Sequence, residues 1–447
     1  MNGADLGLLW LTPFVGILLS IALLPLIAPA LWHRHFGKVA AFWALAFLLP
    51  FAATAGPGLA AHALLHTLLG EYLPFIILLL ALFTVAGGIA IRGNLHGAPG
   101  LNTGILGIGT LLASVMGTTG ASMLLIRPLI RANDHRKHNA HIIVFFIFLV
   151  SNIGGALTPL GDPPLFLGFL QGIDFFWTVA HLFKPTLLLS VLLLAIFFVL
   201  DWYFYHYRED VRPLRADPTP DSRLAVAGAL NLWLLAAIVG AVLMSGVWKP
   251  GIAFELFGTA LELQNLLRDV LLVAIALLSW KCTPKDIHVE NAYSWGPIVE
   301  VAKLFAAIFI TIIPAIAILR AGREGALAPL VALVTAADGA PVNAMYFWLT
   351  GGLSAFLDNA PTYLVFFNLA GGDPSLLMNP LAGTLAAISA GAVFMGAITY
   401  IGNAPNFMVK AIAEERGIKM PGFFGYMAWS GAILLPLFGL IALLFFR

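Results

Sequence analysis

The 447-residue chain is 60% hydrophobic and 10% charged, with a formal net charge of +1 at pH 7. Its repeated apolar runs approach the ~20 residues that span a hydrocarbon core, which predicts an all-α polytopic membrane protein in a lipid bilayer and leaves no soluble domain of useful size. The small net charge argues against a nucleic-acid partner, and the single cysteine excludes an intrachain disulfide and a cysteine-based metal cluster.

Apolar runs in chain order predict ten crossings, two of them interrupted by polar residues. These spans are 8–31, 39–56, 73–91, 140–170 (interrupted), 183–205, 224–247, 265–280, 298–319, 382–412 (interrupted) and 423–446. Two further apolar stretches, 103–130 and 343–370, carry polar residues at their middles. They are typical of re-entrant hairpins, which are stable at membrane depth only where protein or water covers them.

Basic residues are grouped in five loops, which predict the orientation. The loops are 33–38, 127–138, 208–223, 281–285 and 410–419. If all five are cytoplasmic, the positive-inside rule is satisfied with the N-terminus outside, and we expect a multi-pass protein of the inner (plasma) membrane. Residues 207–223, which are polar and rich in proline, predict a cytoplasmic linker between a first half, 1–206, and a second half, 224–447.

The two halves share a sequence pattern at a nearly constant spacing. Residues 118–124 align with 358–364, a shift of 240, and residues 158–164 align with 399–405, a shift of 241. By the predicted orientation, hairpin 103–130 enters from the cytoplasm and its counterpart enters from outside. The pattern therefore predicts two inverted repeats, each with about five transmembrane helices, one re-entrant hairpin and one broken helix.

Position within each repeat predicts which segments form the scaffold and which form the transport units. The first helices of each half, 8–56 and 224–280, are the expected scaffold and the expected contacts of a homodimer. The remainder, 73–206 and 298–447, forms the expected transport units. Alternating access would then arise from movement of hairpins and broken helices against the scaffold.

The interrupted span 140–170 contains the sequence T-P-L-G-D-P-P, residues 158–164. Gly161 and three prolines should break the helix there, because proline lacks a donor N–H and glycine adds backbone freedom. The half-helix ends would leave unpaired N–H and C=O groups that suit an ion site, and Gly402-Asn403-Ala404-Pro405 would supply a second one. Such residues can also merely kink packed helices, but the symmetric pair favours a secondary active transporter that moves a small ion or a small molecule.

The stretch Ser151-Asn152…Thr158, the polar hairpin tips, and the G-D-P-P and G-N-A-P breaks resemble the ion transporter superfamily over residues 70 to 446. The superfamily includes citrate and dicarboxylate carriers, arsenite pumps and NhaD-type sodium/proton antiporters. The S-N-I-G-G-A-L-T-P-L-G-D-P-P stretch is most similar to its citrate transporters and sodium/proton antiporters. In the dicarboxylate branch, Ser-Asn-Thr triplets at the tips bind sodium and substrate. Here the tips read Thr-Thr-Gly-Ala-Ser and Asp-Asn-Ala-Pro-Thr, which departs from that pattern.

Two carboxylates, Asp162 and Asp358, are placed at the centre by the repeat. A charge at the bilayer midplane costs at least ~2.5–3.5 kcal/mol and calls for a counter-ion, a proton or a water-filled cavity. No lysine or arginine aligns at this level, so carboxylates beside hydroxyl and amide oxygens suit Na⁺ or H⁺. We expect a Na⁺/H⁺ antiporter, with a Na⁺- or H⁺-coupled transporter of citrate-like organic anions as the alternative.

No cofactor is expected beyond Na⁺ and H⁺ as transported or coupling ions. The predicted ion- and substrate-binding residues are Asp162, Asp358, Asn152, Ser151, Thr158, Gly161, Thr118, Thr119, Ser122, Asn359, Thr362, Thr399, Gly402 and Asn403. The candidate Na⁺ ligands among them are Asp162, Asn152, Thr119, Asn359 and Asn403.

An enzyme must also be considered, because two intramembrane aspartates and Leu160-Gly161-Asp162 suggest an intramembrane aspartyl protease. In that family a Pro-Ala-Leu motif follows both aspartates. Here the only such triplet, residues 29–31, precedes them, and the repeat pairs Asp162 with Asn403. We therefore do not expect an enzyme.

Overall fold

The computed structural model describes residues 2–93, 95–209 and 222–447, so most of the predicted linker 207–223 lies outside the described residues. The helices before the linker are α1 Thr12–Ile27, α2 Pro29–Ala55, α3 Pro57–Thr67, α4 Leu73–Gly87, α5 Pro99–Met116, α6 Thr118–Ala132, α7 Ala140–Leu149, α8 Pro163–Leu170 and α9 Trp177–Tyr207. Those after it are α10 Ala229–Val247, α11 Leu263–Cys282, α12 Lys285–Glu290, α13 Gly296–Arg320, α14 Ala328–Leu333, α15 Asn343–Ser354, α16 Asn359–Leu369, α17 Pro374–Met378, α18 Ala382–Met395, α19 Ala404–Glu415 and α20 Phe423–Phe445.

The described part of the chain contains nine helices that are long and apolar enough to cross a membrane, together with two shorter apolar helices, Ala140–Ala156 and Ala382–Ile398. The prediction of an all-α, multi-pass membrane protein is confirmed. Some boundaries differ: the first predicted span, 8–31, is divided because α1 ends at Ile27 and α2 begins at Pro29. Proline is favoured at the first position of a helix, where its missing N–H has no intrahelical acceptor.

Two small antiparallel sheets connect helix ends. Strand β1, Ala90–Arg92, pairs with β2, Ala225–Ala227, and so joins the end of α4 to the segment before α10. Arg92 also donates a hydrogen bond of 2.7 Å to the Asp286 carboxylate of α12, with which it forms an ion pair. This hydrogen bond lowers the pKa of the Asp286 carboxyl. A second hairpin, β3 Ala253–Leu256 and β4 Thr259–Glu262, lies between α10 and α11.

The two interrupted helices lie at the centre of the protein. Every residue of α7 from His141 to Leu149 is buried, as is every residue of α18 from Thr384 to Met395. In contrast, α9, α11 and α20 expose apolar side chains, as expected of helices that face lipid. A helix that is buried on all sides can contain polar groups that do not contact lipid. The two breaks therefore lie inside the protein.

The two halves contain corresponding elements. The helix pair α5–α6 and the broken helix α7/α8 of the first half correspond to α15–α16 and α18/α19 of the second. Packing across the halves is reciprocal, because α4 packs against α11 and α2 packs against α13. The inverted relation of the halves, their boundaries and the division into scaffold and transport units stay predictions.

Candidate functional site

Both interrupted helices break where the sequence predicted polar residues, but the first break begins earlier. Helix α7 already ends at Leu149 and α8 begins at Pro163, with a short 3₁₀ turn at Ile153–Ala156 between them. Helix α18 ends at Met395 and α19 begins at Ala404. Asp162 and Asn403 immediately precede the two new helices, and both have an extended backbone, so their side chains are free to contact other elements.

A threonine fixes each break to the adjacent hairpin. Thr158 Oγ1 donates to the carbonyl of Ser114, at the end of α5, over 2.5 Å. Thr399 Oγ1 donates in the same way to the carbonyl of Ala355, just after α15. These two equivalent hydrogen bonds attach each broken helix to the hairpin of its own half. The predicted site residues Thr158 and Thr399 therefore hold the breaks in position.

A glycine pair allows each break to fold tightly. A Cβ atom on Gly402 would lie 2.6 Å from the carbonyl oxygen of Gly396, closer than a real Cβ approaches any atom. A Cβ atom on Gly161 would collide with the carbonyl of Gly155. The predicted site residues Gly161 and Gly402 therefore contribute by lacking a Cβ atom, which lets the backbone segments of each break approach closely.

Asp162 is the hub of a buried polar centre in which three neutral donors reach its carboxylate. Thr118 Oγ1 donates over 2.9 Å and Asn403 Nδ2 over 3.1 Å to Oδ1, while Asn359 Nδ2 donates over 2.5 Å to Oδ2. These donors come from the first hairpin tip, the second break and the second hairpin tip. The centre therefore joins the four interrupted elements that the repeat pattern singled out.

None of the basic residues that the structure describes neutralises this carboxylate. Only 2% of the Asp162 surface is exposed, and within the described ranges no arginine, lysine or histidine forms an ion pair with it. A buried carboxylate is costly when it lacks a counter-ion. The arrangement therefore leaves a role for a cation or a proton that comes from outside the chain.

A chain of asparagines surrounds the hub and includes one residue that sequence reasoning missed. Asn403 Nδ2 also contacts the Ser151 carbonyl at 3.0 Å and Asn152 Oδ1 at 3.3 Å. Asn152 in turn donates to Asn406 Oδ1 over 2.7 Å, and Asn406 Nδ2 donates to the carbonyl of Thr399 over 2.9 Å. The repeat gave no signal for Asn406, because the aligned position in the first half is a leucine.

The remaining predicted residues occupy the edge of the centre. Ser122 and Ser151 share a hydrogen bond of 2.9 Å. Thr362 Oγ1 donates to the backbone carbonyl of Asp358 over 2.9 Å. Thr119, predicted as a Na⁺ ligand, is half-buried, and its side chain makes no hydrogen bond to the described residues. Its neighbour Thr118 makes the contact with Asp162.

Asp358 has a different position from Asp162. Its carboxylate caps α16 by accepting a hydrogen bond of 3.0 Å from the Ala360 N–H, and the residue is only half-buried. No hydrogen bond joins it to Asp162; the contact with the hub comes from the next residue, Asn359. The geometry assigns Asp358 a capping contact, and a role in ion binding stays a prediction.

The electrostatics of the centre depend on helix ends as well as on side chains. Four helices begin there, namely α6, α8, α16 and α19, at the residues that form or precede the Asp162 contacts. Helix N-termini carry partial positive charge and favour anionic groups. They stabilise the Asp162 carboxylate and would also attract an anionic ligand.

One buried acceptor in the centre has no partner. Asn359 is fully buried, and its Oδ1 atom makes no hydrogen bond to the described residues, while its Nδ2 contacts Asp162. Buried polar atoms of this kind are uncommon in native proteins and call for a donor or an ion. The described residues hold no group of three His, Cys, Asp or Glu side chains suited to a metal ion. Carboxylate, amide and hydroxyl oxygens are instead the ligands of hard cations.

A second buried polar cluster lies where the first turns of α5 and α7 meet the last turns of α9. Asp201 forms an ion pair of 2.7 Å with Arg136 and accepts hydrogen bonds from His141 Nε2 over 2.8 Å and from Asn102 over 2.9 Å. Each of these side chains is at least 96% buried. The cluster fixes the base of the first hairpin, which is the end where α5 begins and α6 ends. Sequence patterns did not reveal this cluster.

Long apolar helices, two broken helices and a buried polar centre at their junction are the features of a multi-pass membrane transporter. A family model described as "Putative citrate transport" (CitMHS_2) matches residues 3–446, and the chain belongs to that family. No curated protein matches the chain. The family confirms the resemblance to the ion transporter superfamily, and its description agrees better with the citrate alternative than with the antiporter.

Proposed function

We propose that this transporter couples the movement of a citrate-like organic anion to Na⁺ or H⁺, with the polar centre around Asp162 as the binding site. The observation that carries the proposal is the buried Asp162 carboxylate, which is held by three neutral donors from both halves of the chain. The description of the family supports the organic anion as substrate.

The charge of the Asp162 carboxylate gives the reason why transport of an anion would be coupled to a cation. An anion that entered beside Asp162 would meet a like charge that no described basic residue offsets, and like charges in a low-dielectric site repel strongly. A cation bound between Asp162 and the unpaired Asn359 Oδ1 would remove this repulsion. The N-termini of α6, α8, α16 and α19 would then favour the anion. Each ligand would therefore strengthen binding of the other.

Sodium/proton antiport is a second candidate, and the same carboxylate favours it. Asp162 without a basic partner would bind either Na⁺ or a proton, and the two would compete for one group. In that case the buried centre would need no organic anion. The two candidates assign Asp162 the same role in cation binding and differ in whether a substrate anion binds with it.

Other parts of the proposal concern the whole molecule. The protein would reside in the inner membrane as a homodimer, with 8–56 and 224–280 as scaffold and dimer contacts. The inverted repeats would provide alternating access through movement of 73–206 and 298–447. Because α4 packs against α11 and α2 against α13, such movement would take place along these two interfaces.

Uptake of labelled citrate into proteoliposomes tests the proposal. With an inward Na⁺ gradient or an acidic exterior, we expect accumulation of citrate that disappears when the gradient is removed. Asp162→Asn vesicles, matched for protein content, should accumulate far less citrate than wild-type vesicles. A Na⁺-driven change of internal pH without citrate uptake would replace the proposal by the antiporter, and the absence of both activities would contradict both candidates.

A further inference from the structure

The two half-helices that follow the breaks, α8 and α19, differ in exposure although the repeat aligns them residue by residue. One face of α19, which we name the exposed stripe, consists of four residues at helical spacing that are all exposed: Ala404, Phe407, Ala411 and Glu414. With the shift of 241, the aligned residues of the first half are buried or half-buried, and we name them the covered stripe: Pro163, Phe166, Leu170 and Ile173.

The covered stripe is closed by an aromatic stack and a hydrogen bond. The Phe166 ring stacks on Phe75 of α4 with 6.5 Å between the ring centroids, and Phe75 contacts Phe305 of α13 at 4.8 Å. Just after α8, Gln171 Nε2 donates to Glu71 over 3.4 Å. Helices α4 and α13 therefore cover α8 on the side that the predicted topology places towards the outer face.

The exposed stripe has no equivalent cover, and it reaches the polar centre. The Phe407 side chain is 44% exposed, whereas its counterpart Phe166 is 2% exposed. Among the described residues, the contact of the Phe407 ring is with the Lys410 ammonium at 6.0 Å. The stripe begins at Ala404, directly after Asn403, whose amide donates to the Asp162 carboxylate.

The composition of the exposed stripe indicates that it faces water. Two of its four residues are alanines and the last, Glu414, carries a charge that is costly in contact with lipid. The lipid-facing helix α20 differs, because it exposes large leucines: Leu435, Leu440, Leu443 and Leu444. The stripe ends in the basic loop 410–419, which the sequence predicts to be cytoplasmic. It therefore connects the centre with the cytoplasmic face.

We propose that the structure is the inward-facing state of the transporter, in which the exposed stripe lines a water-filled route from the cytoplasm to the Asp162 centre. The covered stripe is then the closed outer gate. Phe166 and Phe407 are the two gate residues, because each repeat-related ring packs on α4 and α13 in one of the two states. The inference rests on the proposed function in one respect, namely that the Asp162 centre is the binding site.

Single-cysteine labelling tests the proposal in a Cys282→Ser background, because Cys282 is the only cysteine of the chain. Phe407→Cys and Phe166→Cys are compared in inside-out and right-side-out membrane vesicles with a membrane-impermeant methanethiosulfonate. From the cytoplasmic side, Phe407→Cys should react at least tenfold faster than Phe166→Cys, and from the outer side neither should react quickly. Leu435→Cys, on the lipid-facing side of α20, is the matched control and should stay unreactive.

Three outcomes would overturn the proposal. If Phe407→Cys reacts as slowly as Leu435→Cys, the exposed stripe faces lipid. If Phe166→Cys reacts as fast as Phe407→Cys, the two half-helices are equally accessible. If Phe407→Cys reacts from the outer side, the route has the opposite direction. Should Phe407→Cys not fold, Ala411→Cys probes the same stripe with a smaller change and should react in the same way.

A second variant tests the outer gate. Phe75→Ala removes the ring that covers Phe166, so in the Phe166→Cys protein it should raise labelling from the outer side severalfold. Phe42→Ala, which removes an exposed ring of α2, should leave that rate unchanged. An unchanged rate in the Phe75→Ala protein would contradict the assigned gate. Labelling requires no transport, so the expected labelling pattern without citrate uptake would contradict the proposed function alone.

Discussion

Asn403 donates a hydrogen bond of 3.1 Å to Asp162, although the two residues are 241 positions apart. They are also the two positions that the sequence repeat aligns with each other. Each immediately precedes a half-helix, so the contact brings two equivalent helix ends to one point. The pairing of a carboxylate with an amide makes this point asymmetric, because only one of the two residues is able to carry a charge.

Asp162→Asn should reduce coupled transport strongly while the protein remains folded. The amide preserves size but binds neither a cation nor a proton as the carboxylate does. Hydrogen bonds to a charged group contribute about 1.5–3 kcal/mol, which corresponds to roughly a tenfold to hundredfold loss of affinity. Uptake into proteoliposomes measures the loss, with thermal unfolding in detergent as the control for folding. Uptake at the wild-type rate would exclude Asp162 as the coupling residue.

Asp358 should respond differently because its carboxylate caps α16. Asn and Asp are equally good helix caps, so Asp358→Asn should retain stability and most of the transport rate. Asp358→Ala removes the acceptor of the Ala360 N–H and should cost about 1 kcal/mol of stability. Thermal unfolding and uptake of both variants check this. A stable Asp358→Asn protein without transport would instead support ion binding by Asp358, as the sequence predicted.

Gly402→Ala should disturb the second break, because the new Cβ would lie 2.6 Å from the Gly396 carbonyl. Overpacking of this kind costs about 1–3 kcal/mol. The matched substitution Gly240→Ala, in the middle of α10 with no atom within 4 Å of the new Cβ, should be neutral or slightly stabilising. Unfolding temperatures and transport rates of the two alanine variants test the difference. Equal behaviour would show that the break tolerates a side chain.

Asp201→Asn should destabilise the base of the first hairpin, since it leaves the buried Arg136 charge without its closest partner. Removing one member of a buried ion pair costs about 3–5 kcal/mol. Glu414→Gln, which breaks the exposed pair of 2.7 Å with Lys410, provides the comparison and should cost at most about 0.5 kcal/mol. Denaturant or thermal unfolding of both variants measures the contrast, and similar losses would contradict the assigned role of the cluster.

Linkage between ligands distinguishes the two candidate functions. If citrate and Na⁺ bind together, citrate should tighten Na⁺ binding, with a coupling of roughly 5- to 150-fold, and Na⁺ should tighten citrate binding by the same factor. If the protein is an antiporter, citrate should have no effect and Na⁺ binding should weaken as pH falls, because a protonated Asp162 no longer attracts the cation. Titration of the purified protein with Na⁺, at several pH values with and without citrate, measures both responses.

Hydropathy and the repeat predicted much of this structure from sequence. Apolar runs indicated the membrane helices, and the constant shift between halves brought together Asp162 and Asn403, which no local pattern would connect. The sequence predicted both Thr118 and Thr119 as site residues, and in the structure it is Thr118 that contacts Asp162. Neighbouring helical residues point about 100° apart, so the sequence pattern does not determine which of two adjacent side chains faces the centre.

Other contacts left no trace in the sequence pattern. Asn406 has no polar counterpart in the first half, and its partners Asn152 and Thr399 are defined only once the break has folded. Asp201 lies within a long apolar helix where a single acid usually indicates function. Its pairing with Arg136 depends on how α9 packs against the base of the hairpin. Contacts of this kind arise from tertiary packing, which periodicity does not report.

If Asp162 binds the coupling ion as proposed, its burial would affect the speed of transport as well as its selectivity. Its carboxylate is held by donors from three different elements, Thr118, Asn359 and Asn403, and an ion that took the place of any one of them would first have to break that hydrogen bond. These hydrogen bonds would therefore act as a latch, and each one would contribute to the barrier that precedes ion entry. A substitution that weakens the latch without removing the charge, such as Asn359→Ala, would speed opening while it loosens ion retention, so that turnover and affinity change in opposite directions.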